Sequence, residues 1–224
     1  LGNLYFDGGD LTSAAEAYEA ASAAAPGYAP AMAGEARVLA ARGQLAAAAD
    51  RYLQVVTVLP LPEYLSAYGE VLSARGDQSG ANAQFATVSA IQQLQAANGV
   101  NTDLELALFA ADHGDTAAIN SAVAEAKAGV AERPSVTAYD ALAWTLYRAG
   151  DLDAAAAASE QSLELGTQSA VMHFHAGMIA SARGDSALAI THLRTALALN
   201  PHFSLRYAPV AQAELARLQN EAAS

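Results

Sequence analysis

The sequence contains no cysteine, one lysine (Lys127) and one tryptophan (Trp144) among its 224 residues. Without cysteine, neither disulfide bonds nor thiolate metal sites can form, and the chain is compatible with any redox compartment. The 11 basic residues face 23 acidic ones, and the net charge of −12 argues against nucleic acid or anionic lipid as a partner. No apolar run approaches the ~18 residues that a membrane span needs, so we expect no direct insertion into a membrane.

Motifs of the common enzyme classes are also missing. Lys127 does not follow the glycine-rich loop of a nucleotide-binding site, and H-E-x-x-H, G-x-S-x-G and G-x-G-x-x-G do not occur. We therefore expect a protein that is not an enzyme, with no catalytic residue and no cofactor.

Metal binding is not expected either. His173 and His175 are two residues apart, and side chains at that spacing do not share a helix face. We expect His173 to pack between helices and His175 to point toward an inner face. The acidic residues between positions 103 and 115, Asp112 among them, lack a calcium-ligand loop. They are interpreted as solvated helix ends.

A repeat organises the sequence that is present. Residues 170–203 fit two amphipathic helices around a Gly184-Asp185 turn, closed by Asn200-Pro201. Glycines recur at the same point of the pattern with spacings of 33 to 38 residues. They are Gly9, Gly43, Gly76, Gly114, Gly150 and Gly184. This period predicts an array of helix–turn–helix units.

The residues around these glycines carry a resemblance to a known family. In the first unit the small and large packing positions hold Leu1, Gly2, Tyr5, Gly9, Asp10, Ala14, Tyr18, Ala21 and Pro26. This pattern resembles the tetratricopeptide-repeat (TPR) family, and DLELALFAADHGD at residues 103–115 is similar to a group of bacterial members. The resemblance implies an all-α fold: a right-handed α-solenoid of about six TPR-like helix hairpins with a C-terminal capping helix.

The repeat predicts one solenoid over residues 1–224. Its units are about 1–28 (partial), 29–61, 62–98, 99–134, 135–169 and 170–203, followed by a capping helix at about 208–220. The third unit is expected to have a long second helix that passes Leu94 and ends at Asn98-Gly99. Thr102 to Glu105 fits a capping box at the start of the fourth unit, and Ser204 to Ala208 is interpreted as a linker.

In the TPR family the first helix of each unit lines a concave groove that holds an extended peptide or a helix. By register, the groove here includes Arg37, Glu70, Asp140, Trp144, Tyr147, Arg148, Phe174, His175 and Met178. Exposed aromatic residues beside an arginine are typical of a binding hot spot. Alternatively, Trp144 and Phe174 cover the gap between repeat units. Lysine is absent from these positions, which argues against the family's clamp for a carboxylate terminus.

The first helix offers a second hypothesis. Leu1, Leu4 and Tyr5 belong to a helix that is shorter than its counterpart in the next unit. An uncovered solenoid end can contact the opposite end of another copy, and such head-to-tail contacts can produce a filament. The alternative is that the sequence simply begins inside a longer helix. We therefore expect non-enzymatic protein–protein interaction through the groove or, alternatively, end-to-end self-assembly into an oligomer or filament.

Overall fold

The structure, a computed structural model, describes residues 1–98 and 104–222. These residues form 13 α-helices, which contain 81% of them, and no β-strand. The helices are α1 (Gly2–Asp7), α2 (Leu11–Ala24), α3 (Ala29–Ala41), α4 (Leu45–Val58), α5 (Pro62–Ala74), α6 (Gln78–Ala97), α7 (Leu104–His113), α8 (Thr116–Glu132), α9 (Val136–Ala149), α10 (Leu152–Leu163), α11 (Ala170–Ala182), α12 (Ser186–Leu199) and α13 (Tyr207–Ala222). Six helix pairs followed by a last helix confirm the predicted all-α class.

The helices form two compact units. The first unit comprises Leu1–Leu94 together with Asn200–Ala208, and the second comprises Gln95–Leu199 together with Pro209–Ser224. Pairs α1–α2, α3–α4 and nearly all of α5–α6 belong to the first unit, whereas α7 to α12 and most of α13 belong to the second. The predicted repeat boundaries, and a single solenoid over residues 1–224, stay predictions.

The turn inside most helix pairs depends on glycine and on a carboxylate. Gly9, Gly43 and Gly150 have φ values of 80°, 75° and 86°, a left-handed conformation that side chains with a Cβ disfavour. At the start of α2, Asp10 Oδ1 accepts hydrogen bonds from the backbone N–H of Thr12 and Ser13. Such caps satisfy backbone donors that the first turn leaves unpaired.

Two sequence expectations concern the third and fourth units. Helix α6 is 20 residues long, the longest described, which agrees with the expected extension past Leu94. The proposed capping box at the next helix begins at Thr102, which lies outside the described residues.

In the first unit, aromatic side chains of second helices pack against glycines of first helices. A Cβ added at Gly34 would overlap the ring of Tyr18, and one at Gly69 would overlap the ring of Phe85. Tyr18 is 5% exposed, and the main core cluster of the unit is built on α3, α4 and α5. Glycine therefore lets neighbouring helices, α2 with α3 and α5 with α6, approach closely enough to pack against an aromatic ring.

The second unit has an alanine-rich core. Ala143, Ala155 and Ala158 pack with Leu146 and Ile179, and a Cβ added at Gly177 would lie 2.8 Å from Cγ of Leu193.

None of the helices in the described parts of the chain combines the length and hydropathy that crossing a membrane requires.

Candidate functional site

Most of the predicted groove residues lie on α9 and α11 in the second unit. Asp140, Trp144 and Tyr147 follow one another on α9 at spacings of four and three residues, so they share a face. Ser135 fixes the start of this helix, since its Oγ accepts a hydrogen bond from the Ala138 N–H at 3.1 Å. Two capped helices, α9 and α11, therefore position this surface.

Trp144 is the centre of an aromatic stack. The centre of its indole lies 4.2 Å from that of His175 and 4.9 Å from that of Tyr147, with interplanar angles of 17° and 23°. Phe174 contacts the indole at an angle of 50° and a centroid distance of 5.7 Å. Offset stacking of this kind adds about 0.5–1.5 kcal/mol per pair to the effect of burial.

The stack is buried, which corrects one expectation. Trp144 is 3% exposed and Phe174 is fully buried, so neither is the exposed anchor that a hot spot requires. The physical reason is that the side chains of neighbouring first helices meet over the indole and cover it. Their predicted role in partner binding can therefore only be indirect, through the residues that they support.

The polar atoms of the stack have partners. Trp144 Nε1 donates a hydrogen bond to Asp112 Oδ1 at 2.7 Å, and Arg148 Nη1 lies 3.7 Å from the same oxygen. His175 Nδ1 and Asp140 Oδ1 are 2.9 Å apart, and their side chains are 3% and 8% exposed. A buried polar group is tolerated when it is hydrogen-bonded, and these contacts hold the stack in one arrangement.

Asp112 is the residue that the sequence interpretation missed. The sequence predicts a solvated helix end at this position, whereas the Asp112 side chain is 16% exposed and accepts a hydrogen bond from the indole. The signal that could have identified it is its position near the end of α7, one helix pair before Trp144. Helix α7 is the first helix of the preceding pair, so a side chain near its end can reach the helix face that carries Trp144.

Three of the predicted residues on α9 and α11 remain partly accessible. Tyr147, Arg148 and Met178 are half-buried, and the Arg148 side chain is 29% exposed. Burial raises the pKa of Tyr147, a rise that Arg148 opposes. The phenol is therefore neutral at physiological pH and can both donate and accept a hydrogen bond.

Arg37 and Glu70, the other two predicted groove residues, lie in the first unit. The Arg37 guanidinium is 3.8 Å from the centre of the Phe6 ring, and its Nη2 is 3.2 Å from Asp7 Oδ1. Burial raises the pKa of Tyr52, and Arg37 opposes this rise while Glu70 adds to it. Both predicted residues therefore act on the same buried phenol.

The predicted self-assembly end is also in the first unit. Leu1 and Leu4 are 79% and 71% exposed, whereas Tyr5 is half-buried and packs against the cluster around Phe6. Two of the three residues are therefore available for contact.

The predicted linker, Ser204 to Ala208, falls within residues 200–208, which lie between α12 and the body of α13. They belong to the first unit, and Asn200 is 1% exposed, with its Nδ2 donating a hydrogen bond to the carbonyl oxygen of Phe6 at 2.8 Å. No local sequence pattern indicates this contact.

No group of three or more histidine, aspartate or glutamate side chains in residues 1–98 and 104–222 is arranged to hold a metal ion. His173 and His192 instead pair with each other, with their Nδ1 atoms 3.0 Å apart. One ring must donate and the other accept, so the pair requires at least one neutral imidazole. The pKa of each is lowered mainly by burial, and His173 adds to the effect on His192.

No model of a known protein family matches the sequence, and no curated protein matches it. Among solved structures, the chain is similar to one from the APC/C hetero-tetramer Cut9–Hcn1, with 22% identity and a TM-score of 0.52, over 93% of this chain and 39% of that one. It therefore spans well under half of that chain.

Two further structures are similar along nearly their whole length. PilW, a type IV pilus biogenesis factor, is 22% identical with a TM-score of 0.49, over 97% of this chain and 94% of PilW. A tetratricopeptide repeat protein from Parabacteroides merdae is 16% identical with a TM-score of 0.47, over 97% and 86%. Identities this low can establish only a fold. The successive helix pairs and the likeness to the Cut9 structure show that this chain has the fold of tetratricopeptide-repeat proteins.

Proposed function

We propose that the chain is a non-enzymatic scaffold that binds another protein through the face of its second unit formed by Tyr147, Arg148 and Met178, called here the Tyr147 surface. The observation that carries the proposal is the support beneath Tyr147. Its ring stacks on Trp144, which is in turn fixed by Asp112 and His175. A side chain that is already ordered loses little conformational entropy on binding.

The chemistry of the Tyr147 surface suits a peptide or a helix of a partner protein. Tyrosine and arginine are the residue types enriched at binding hot spots, and methionine adapts its shape to different apolar partners. Arg148 carries several N–H donors that can reach a partner's carbonyl or carboxylate oxygens. An extended peptide would supply such oxygens along its backbone.

The test begins with peptides selected from a random library on the unmodified protein. Their affinities are then measured for Tyr147→Ala and for Met178→Ala, with Tyr28→Ala as the matched control, because Tyr28 is 53% exposed and lies in the first unit. We expect Tyr147→Ala to weaken binding by about tenfold or more, the size of a hot-spot effect. Equal affinities for Tyr147→Ala and Tyr28→Ala would contradict the proposal.

The exposed leucines of α1 favour a second candidate function, head-to-tail self-assembly. Leu1 and Leu4 place two large apolar side chains side by side in solvent, and adjoining exposed apolar residues are typical of contact surfaces. A heterologous contact of this kind extends into a filament if it does not close into a ring.

Light scattering over a range of protein concentrations tests this second candidate. The mass should rise with concentration for the unmodified chain and stay monomeric for Leu4→Glu. Leu53→Glu is the matched control, since Leu53 is 51% exposed on α4, and it should still assemble. A constant monomeric mass for the unmodified chain would end this hypothesis.

A further inference from the structure

The segment Asn200–Ala208, with the sequence NPHFSLRYA, lies between the end of α12 at Leu199 and the body of α13. It belongs to the compact unit built by Leu1–Leu94, although it lies more than a hundred residues away in sequence. Pro201 and His202 are exposed, whereas Asn200 is buried. The segment therefore lies on the first unit and anchors individual side chains in it.

Asn200 is the first anchor. Its Nδ2 donates a hydrogen bond of 2.8 Å to the carbonyl oxygen of Phe6, which is in the last turn of α1 and also accepts a hydrogen bond of 2.9 Å from the Gly9 N–H. Its Oδ1 accepts a hydrogen bond of 2.7 Å from the N–H of His202. Both ends of a buried amide are thus used, one on the first unit and one within the segment.

Leu205 is the second anchor, five residues after the first. It packs against the largest core cluster of the first unit, which includes Met32, Val71 and Leu72 of α3 and α5. Phe203 between the two anchors and Ala208 beyond them are also buried, and the segment makes local bonds such as Ala208 N–H to Ser204 O at 3.1 Å. An amide anchor and an apolar anchor on an irregular backbone are the ordinary elements of peptide recognition.

The charges of the two parts also favour contact between the segment and the first unit. Residues 1–94 contain nine acidic and four basic side chains, whereas the segment contains Arg206 and no acidic residue. A basic peptide on an acidic unit is attracted before contact and is discriminated from acidic peptides.

We propose that the first unit is a binding site for an extended peptide, and that the chain's own segment Asn200–Ala208 occupies this site. The ligand class is a basic peptide that carries an asparagine to donate to the Phe6 carbonyl and a leucine five residues later. The segment competes with any such ligand, so the site is closed until the segment is displaced. This site is distinct from the Tyr147 surface, and neither proposal depends on the other.

The test uses the full chain and a fluorescent synthetic peptide with the sequence of residues 200–208. In the chain, Leu205→Asp places a carboxylate against an apolar cluster of an acidic unit and should free the site. We expect this variant to bind the peptide at least tenfold more tightly than the unmodified chain, in which the segment competes at high effective concentration. Val210→Asp, at an exposed position of α13, is the matched control and should bind the peptide as weakly as the unmodified chain.

Substituted peptides identify the two anchors. On the Leu205→Asp chain, peptides carrying Asn200→Ala or Leu205→Asp should lose most of their affinity, whereas one carrying the exposed His202→Ala should keep it. Equal binding by all peptides, or equal binding to all three chains, overturns the proposal.

Circular dichroism establishes that each variant keeps its helices. If Leu205→Asp loses helical signal, Asn200→Ala and Leu205→Ala take its place, because both remove an anchor without adding a charge. Peptide affinity that is no higher for these two folded variants than for the unmodified chain overturns the proposal in the same way.

Discussion

The first and second units cover the same kind of helix face in different ways. In the second unit, α9 and α11 supply their own large side chains, Trp144, Phe174 and His175, which stack on one another. In the first unit, the corresponding helix α3 is rich in alanine, and the unit includes a segment from residues 200–208. A helix face that carries aromatic residues is buried by its own side chains. A face built of small residues is instead covered by another segment of the chain.

The packing inside the helix pairs is reversed between the units. The first unit places glycine opposite an aromatic ring, as at Gly69 and Phe85, while the second places glycine opposite an aliphatic chain, as at Gly177 and Leu193. Large side chains therefore lie between the two helices of a pair in the first unit, and between neighbouring first helices, α9 and α11, in the second. The difference predicts which substitutions each unit tolerates.

Removing the indole from the second unit should have the largest effect. Trp144→Ala deletes a buried ring with three aromatic neighbours and removes the hydrogen bond from the indole to Asp112, so we expect a loss of about 3–5 kcal/mol in the free energy of unfolding. Hydrogen exchange should show the loss in α9 and α11. Tyr28→Ala, at an exposed site, should change little, and a comparably small loss for Trp144→Ala would show that the stack does not support this face.

The helix pairs could be predicted because their signals are local. Turn glycines such as Gly43 and Gly150, and caps such as Asp10, act on backbone within a few residues, so the sequence contains what is needed to place them. The period of these signals then predicts the fold class. Periodicity also placed Trp144 and Phe174 on the correct helices.

The burial of these residues could not be predicted in the same way. Whether Trp144 is exposed depends on Asp112, 32 residues before it, and on His175 of a later helix pair. The contact between Asn200 and Phe6 spans 194 residues. Contacts over such distances follow from how helix pairs stack, which sequence periodicity does not specify.

Adding a methyl group at the glycines of the two units should have an intermediate effect. A Cβ at Gly34 meets a flat, 5% exposed ring that cannot turn aside, so Gly34→Ala should cost about 1–3 kcal/mol through overpacking. The nearest atoms to a Cβ at Gly177 are Cγ and Cδ2 of Leu193 at 2.8 and 2.9 Å, a smaller overlap than with the Tyr18 ring, so Gly177→Ala should cost less. Thermal unfolding of both variants measures the difference, and an equal or larger loss for Gly177→Ala would show that aromatic packing does not distinguish the first unit.

The smallest effect should be a pH dependence confined to the second unit. The folded state lowers the pKa of His173 and His192, mainly through burial, so below about pH 6.5 the unfolded chain binds protons that the folded chain resists. The free energy of unfolding should therefore have its full value above about pH 6.5 and should decrease as the pH falls from there through the lowered pKa values. Protonation of both rings would also remove the acceptor from their shared hydrogen bond.

The double variant His173→Gln/His192→Gln isolates this effect, because glutamine keeps a polar pair but does not titrate. Denaturation followed by the fluorescence of Trp144, the one tryptophan, reports on the second unit. The unmodified protein should lose more stability than the double variant between about pH 7.5 and pH 5.5, above the range in which ordinary carboxylates titrate. Residues 1–94 contain no histidine, so hydrogen exchange in α3 should not separate the two proteins. A difference in α3 as large as in α11 would mean that the response does not originate in this histidine pair.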